Sequence, residues 1–115
     1  FKDETLDCVY SITTLEFLEN PERSIAETAR VLEPSGKTII LMLNPSSEYF
    51  KSHEKNEESY FRKMRSNPKK VEKYMTKYFS TEGEYRLGIK GKEVFESQNP
   101  NLASLYILTG IKRGN

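Results

Sequence analysis

Apolar residues along this chain fall into three near-continuous runs and two sets spaced as on one face of a helix. Leu6 to Ile12 is the first run, interrupted only by Asp7 and Ser11; Lys37 to Leu43 is the second and the most apolar; Leu102 to Ile111 is the last. The first two, without strict alternation, predict strands buried on both faces, as in a parallel sheet, and the last predicts a further apolar strand. Ile25, Ala29 and Leu32 recur at i, i+4 and i+7, with Ala26 beside them and Glu22, Arg23, Glu27 and Arg30 on the other side, which predicts an amphipathic helix. Asn20-Pro21 supplies its start, a side chain able to cap a free backbone N–H followed by a ring with preset φ. Pro34-Ser35-Gly36 supplies its stop, since proline disfavours helical dihedrals in the residue before it and glycine can take positive φ. Residues 6–44 therefore read as one βαβ unit.

Asn44-Pro45-Ser46-Ser47 ends that unit. Residues 46–65 are polar and helix-tolerant, with Tyr49, Phe50, Tyr60 and Phe61 among them. Asn67-Pro68 repeats the helix-start signal, and Val71, Tyr74, Met75 and Tyr78 at i, i+3, i+4 and i+7 predict a second amphipathic helix running to about Phe79. Gly83, Gly88 and Gly91 then punctuate an extended stretch with Tyr85, Leu87, Ile89, Val94 and Phe95. Gln98-Asn99-Pro100-Asn101 is a turn, and the strands on either side of so short a turn pair antiparallel. The fold class this order predicts is α/β, parallel strands with an antiparallel C-terminal hairpin at the edge and flanking helices.

Composition narrows the picture without changing it. The chain's 115 residues, 36% of them hydrophobic, describe a single domain, 1–115, with a core of modest size. Eighteen Lys plus Arg against 17 Asp plus Glu give no bulk argument for nucleic acid or a membrane surface as partner. Locally the balance is uneven: residues 1–33 carry eight acids against three bases, and Arg62 to Lys77 carry seven bases against Glu72 alone. A solvated helix face is the ordinary meaning of such a basic stretch. The single cysteine, Cys8, lies in an apolar run with no disulfide partner, which suits a reducing compartment and makes the cytoplasm the default. No apolar run approaches the roughly 20 residues needed to span a bilayer. A start at Phe1-Lys2-Asp3-Glu4-Thr5, leading at once into a strand, reads as a cut from something longer.

Leu6-Asp7-Cys8-Val9-Tyr10-Ser11, then Leu15-Glu16-Phe17-Leu18, Asn20-Pro21 and Glu27-Thr28-Ala29-Arg30-Val31-Leu32-Glu33-Pro34-Ser35-Gly36 resemble the second half of a class I S-adenosylmethionine-dependent methyltransferase. The likeness is to the broad small-molecule branch known as the type 11 methyltransferase domain. It is specific over Phe1 to Asn44 and architectural beyond. Leu6, Phe17, Glu33 and Ser35 depart from the family pattern, and Phe17 stands where many members carry a His; the chain's only histidine is His53.

The resemblance implies a partial Rossmann-like methyltransferase fold and a small-molecule methyl acceptor. In open α/β sheets ligands bind outside the carboxyl ends of the strands. Family members use the positions matching Ser11 and Ile12, with Leu15 just beyond, to line the pocket around the methionine part of the cofactor, and Phe1 and Asp3 match the end of a loop folded near the adenine. Asp7 is structural on this reading, Arg30 makes salt links or helix-end contacts, and Cys8 points into the core. The sequence designates neither a catalytic residue nor a metal ligand. The family's Gly-rich turn and ribose-holding acid would precede Phe1, so this chain alone is expected to bind S-adenosylmethionine weakly or not at all. A strand at residues 6–12 with no pairing partner on one side would be an apolar edge that invites a homo-oligomer. The alternative reading is a non-enzymatic α/β interaction module that uses the basic helix at 62–79.

Overall fold

The computed structural model describes residues 2–12, 14–47, 49–51, 64–65, 67–90 and 92–113. Phe1, His53, Tyr60, Phe61, Arg62, Lys63, Gly91 and most of the helix expected over 46–65 lie outside those residues; within that span residues 49–51 are helical. The elements are β1 (Leu6–Ile12), a 3₁₀ turn (Leu15–Phe17), α1 (Pro21–Val31), β2 (Leu32–Leu43), α2 (Pro68–Met75), β3 (Phe79–Lys90), β4 (Glu93–Phe95) and β5 (Ala103–Lys112).

One five-stranded sheet runs in the order β1-β2-β5-β3-β4, with β1 parallel to β2 and β5 antiparallel to both β2 and β3. The βαβ unit over 6–44 and the mixed α/β class are as the sequence predicts. The reversed strand differs from expectation in position: β5 is not an edge but lies between β2 and β3. The strand before the 98–101 turn, β4, pairs with β3 alone through Gly88↔Phe95, Ile89↔Val94 and Lys90↔Glu93. With β5 already paired on both sides, its ladder has no room for β4.

The helices pack on one face of the sheet. Thr38, Ile40 and Met42 of β2 and Tyr106 and Leu108 of β5 meet Ile25 and Ala29 of α1 and Val71 and Met75 of α2, all buried. Each large apolar side chain so buried contributes about 1.5–3 kcal/mol. The opposite face has no such cover among the described residues, and burial of β1 on both faces is therefore not realised. Leu6, Val9 and Ser11 are half-buried, while Cys8 is exposed, Tyr10 is 72% exposed and Ile12 56%. Cys8 thus faces solvent rather than the core, because both helices lie on the other side of its strand.

Helix boundaries show which local signals operate. The Asn67 side chain accepts from the Lys70 N–H at 2.9 Å and Pro68 opens α2, but α2 ends at Met75, a turn earlier than its periodicity suggests, and Phe79 starts β3. Asn20 precedes Pro21 without a side-chain capping bond. At the end of α1 the chain passes straight into β2 at Leu32, and Glu33 to Gly36 bulge out between the Leu6↔Leu32 and Cys8↔Lys37 pairs. Ser35, not Gly36, takes the positive φ there, 67°. Gly36 serves packing instead: a Cβ would lie 2.7 Å from the Glu33 carbonyl oxygen.

Candidate functional site

The carboxyl ends of β1 and β2 lie side by side, with Ser11 opposite Ile40 and Ile12 opposite Leu41. β1 stops at Ile12, two positions short of the end of β2, so the Leu43 N–H has no strand to bond to. The chain turns back through Leu15–Phe17 and places the Glu16 carboxylate there, with Oε2 accepting from Leu43 N at 2.7 Å. Glu16 is wholly buried, and its Oε1 has no hydrogen-bond partner. Burial raises its pKa above the ordinary 4.5, against the opposing pull of the Leu43 bond and of its own backbone N–H. Its carbonyl oxygen accepts from Arg65 N at 2.8 Å, tying the segment before α2 to the same loop.

Asn44 organises the next loop. Its Nδ2 donates to the carbonyls of Pro100 and Ala103, its Oδ1 accepts from Ser46 N, and its backbone N–H donates to Ser104 O. Ser47 Oγ then donates to Asn44 O and accepts from Phe50 N, opening the helical turn at 49–51. These bonds join the end of β2 to the start of β5, and they fix the rim of the sheet at the carboxyl end of β2. The neighbouring Ser104 Oγ is a second buried polar atom without a partner.

A polar cluster is built on Tyr106, two pairs nearer that rim than Ser11. Tyr106 pairs with Met42 on one side and Tyr85 on the other, and the two tyrosine rings lie 4.7 Å apart at 53°. The Tyr106 hydroxyl donates to Glu72 Oε1 at 2.8 Å and accepts from Lys69 Nζ at 3.0 Å. Gly83 makes room for it, since a Cβ there would run into that hydroxyl. Burial, reinforced by Glu72 and opposed by Lys69, pushes the Tyr106 pKa up, so the phenol stays a donor; its hydrogen bond in turn raises Lys69.

The candidate cofactor residues are placed unequally. Ser11 and Leu15 meet on a cavity of about 30 Å³ between the sheet and the helices, shared with Thr28 and Thr38. Ile12 points to the opposite, open face. Asp3 stands at the amino end of β1, roughly 20 Å from Ser11 at the usual rise per strand residue. There it meets Arg30 at 2.6 Å, and Arg30 also bonds Glu27, so Arg30 makes the salt links expected of it. Asp7, exposed at the same end, lies away from the ligand rim. Phe1 is outside the described residues. A volume of about 30 Å³ admits one water-sized group. This cavity is therefore far too small to enclose a ligand the size of S-adenosylmethionine.

Glu16, Asn44 and the Tyr85–Tyr106 pair were not singled out by sequence reasoning. For Glu16 the available signal was a charge inside Leu15-Glu16-Phe17-Leu18; for Asn44, an amide at the end of the most apolar run.

Residues 1–40 match the methyltransferase domain family. That match spans about a third of the chain. The chain is 34% identical over 56 residues to a sterol 4-C-methyltransferase of Caenorhabditis elegans, covering 49% of the chain and 17% of that protein. It is 44% identical over 64 residues to an uncharacterized protein of Methanocaldococcus jannaschii, covering 55% of the chain and 31% of that protein. The chain thus spans less than a third of the length of these curated relatives. A solved S-adenosylmethionine-dependent methyltransferase of Thermotoga maritima, described as a possible histamine N-methyltransferase, shares its fold with a TM-score of 0.78 at 24% identity, over 97% of this chain and 58% of that one. Among the described residues no helix is long and apolar enough to cross a membrane.

Proposed function

We propose that this chain forms one wall of the cofactor pocket of an S-adenosylmethionine-dependent methyltransferase acting on a small molecule. The observation that carries this reading is the convergence of Ser11, the Leu15–Phe17 turn and Asn44 at the carboxyl ends of the parallel pair, within and just past the residues that match the methyltransferase domain. Ligands of open α/β sheets bind at that end. S-adenosylmethionine, when bound, supplies an electrophilic methyl group, and in-line placement with exclusion of water provides most of the acceleration. The residues of this chain then have three tasks: Ser11 and Leu15 line the cofactor side, Glu16 and Asn44 hold the rim in place, and the sheet behind them excludes water. The reading does not require a general base among them.

We further infer that the free edge of β1 is covered by another strand in the working protein, because an unpaired apolar edge invites pairing. Its exposed Tyr10 and Ile12 extend the apolar surface beside that edge. The experiment that tests the catalytic reading uses the natural reading frame, including whatever codons precede Phe1, with methyl-tritiated S-adenosylmethionine and a panel of amine, hydroxyl and carbon-acid metabolites. Transfer of label to a small molecule is the expected result. A protein that takes up no label and binds no cofactor would overturn the reading in favour of an interaction module built on the basic helix.

A further inference from the structure

We propose that Tyr85, Tyr106 and Glu72 form a binding site for a ligand's ammonium group, occupied in the free chain by the chain's own Lys69. A cation is already in the site. Lys69 Nζ lies 3.0 Å from the Tyr106 hydroxyl, 3.4 Å from Glu72 Oε1, and 4.8 and 5.9 Å from the Tyr106 and Tyr85 ring centres. A hydroxyl and a carboxylate that accept hydrogen bonds, with an aromatic ring beside them, match a protonated primary or secondary amine.

The two sides of the contact differ in how firmly they are held. Tyr106 is 2% exposed, fixed between β2 and β3 and seated against Gly83, and the Glu72 side chain is 21% exposed. The Lys69 side chain is 65% exposed on a flexible stem in the first turn of α2. Lysine can therefore swing into water at small cost while the acceptors keep their geometry, and an incoming ammonium finds them preorganised. Exposed Lys–Glu pairs three apart on a helix ordinarily have only each other and solvent. Here both bond a buried hydroxyl contributed by the central strand of the sheet, which is more than a surface pair requires.

The site's place makes the ligand's identity specific. It lies on the helix-covered face, with Tyr106 two residue pairs further than Ser11 toward the carboxyl end of β2. As the acceptor's recognition site it rests on the methyltransferase reading, and it then selects an acceptor or product that carries an ammonium group. As an ammonium site it stands on its own contacts.

The test is a titration of the chain with propylammonium chloride, followed by the ring NMR signals of Tyr85 and Tyr106. Lys69→Ala removes the resident cation and is expected to tighten propylammonium binding at least tenfold over the unsubstituted chain. Adding Glu72→Gln is expected to abolish that gain, and neutral 1-propanol is expected to leave both rings unshifted. Thermal melts establish that each variant is folded; if the Glu72 variant is not, Tyr106→Phe in the Lys69→Ala chain removes only the hydroxyl and should cause the same loss. Equal affinity of the unsubstituted and Lys69→Ala chains for propylammonium, or equal response to propanol, would overturn the proposal. Neither result bears on cofactor uptake, so failure here and failure of the methyltransferase reading are told apart.

Discussion

Glu16 shows how a single side chain completes a sheet. Where β1 ends, its carboxylate takes over the role of a strand and bonds the Leu43 N–H. Replacing it with alanine leaves that donor buried without a partner, at a cost of about 1–3 kcal/mol. Glu16→Gln keeps an oxygen for Leu43 and removes the charge, and its effect should depend on pH. The folded-state pKa of Glu16 is raised above 4.5, so between that value and the raised one the folded chain holds more protons than the unfolded chain. Stability from this group is then fully present below pH 4.5 and falls as pH rises through the folded-state value. Melting midpoints should show Glu16→Gln gaining on the unsubstituted chain from pH 4 to pH 8; a gap that stays constant or reverses would show that the carboxyl is not desolvated. None of this was legible in sequence, because the partner of Glu16 is 27 residues away and becomes its neighbour only when β1 stops short. By contrast, the pairing of Arg30 with neighbouring acids was legible, since Glu27 sits three residues before it on the same helix.

Among the elements, those whose signals are local came through from sequence, and those that depend on neighbours did not. The start of α2 at Asn67-Pro68 is a local motif and is realised with its capping bond. Asn20-Pro21 has the same letters without that bond. Asn67→Ala should therefore cost about 1 kcal/mol in chemical denaturation, the usual loss for a cap, and Asn20→Ala should be nearly neutral. Equal costs at the two sites would contradict the capping geometry. The faces of β1 illustrate the other case. Its run of apolar residues predicted burial on both sides, but burial depends on what packs there, and α1 and α2 both lie on the side of Val9 and Ser11. Cys8, Tyr10 and Ile12 are exposed for that reason alone. The early end of α2 has a similar cause: Phe79 is recruited into β3, opposite Lys112, and the helix has to stop in time.

For the whole molecule, that open face and the edge of β1, free among the described residues, lead to an expectation of association. A strand paired on one side only, carrying two large exposed apolar residues, predicts self-association of the isolated chain in sedimentation at high concentration. A monodisperse monomer there would count against an uncovered β1 edge as a pairing surface. The overall class was legible because the order of runs and helical spacings reflects topology directly. The placement of β5 inside the sheet was not, since strand order is decided by pairing across 60 and more residues. The same scale decides function: Ser11 and Leu15 converge at the rim, Asp3 stands at the far end of the strand, and the space between sheet and helices holds about 30 Å³. The central claim is that these residues are a wall of a methyltransferase pocket that is closed by other parts of the protein. Isothermal titration of S-adenosylmethionine into the 115-residue chain, and into the protein expressed from its full natural reading frame, tests it most directly. The account predicts no micromolar binding by the first and micromolar binding by the second; micromolar binding by the 115 residues alone, or none by either, would contradict it.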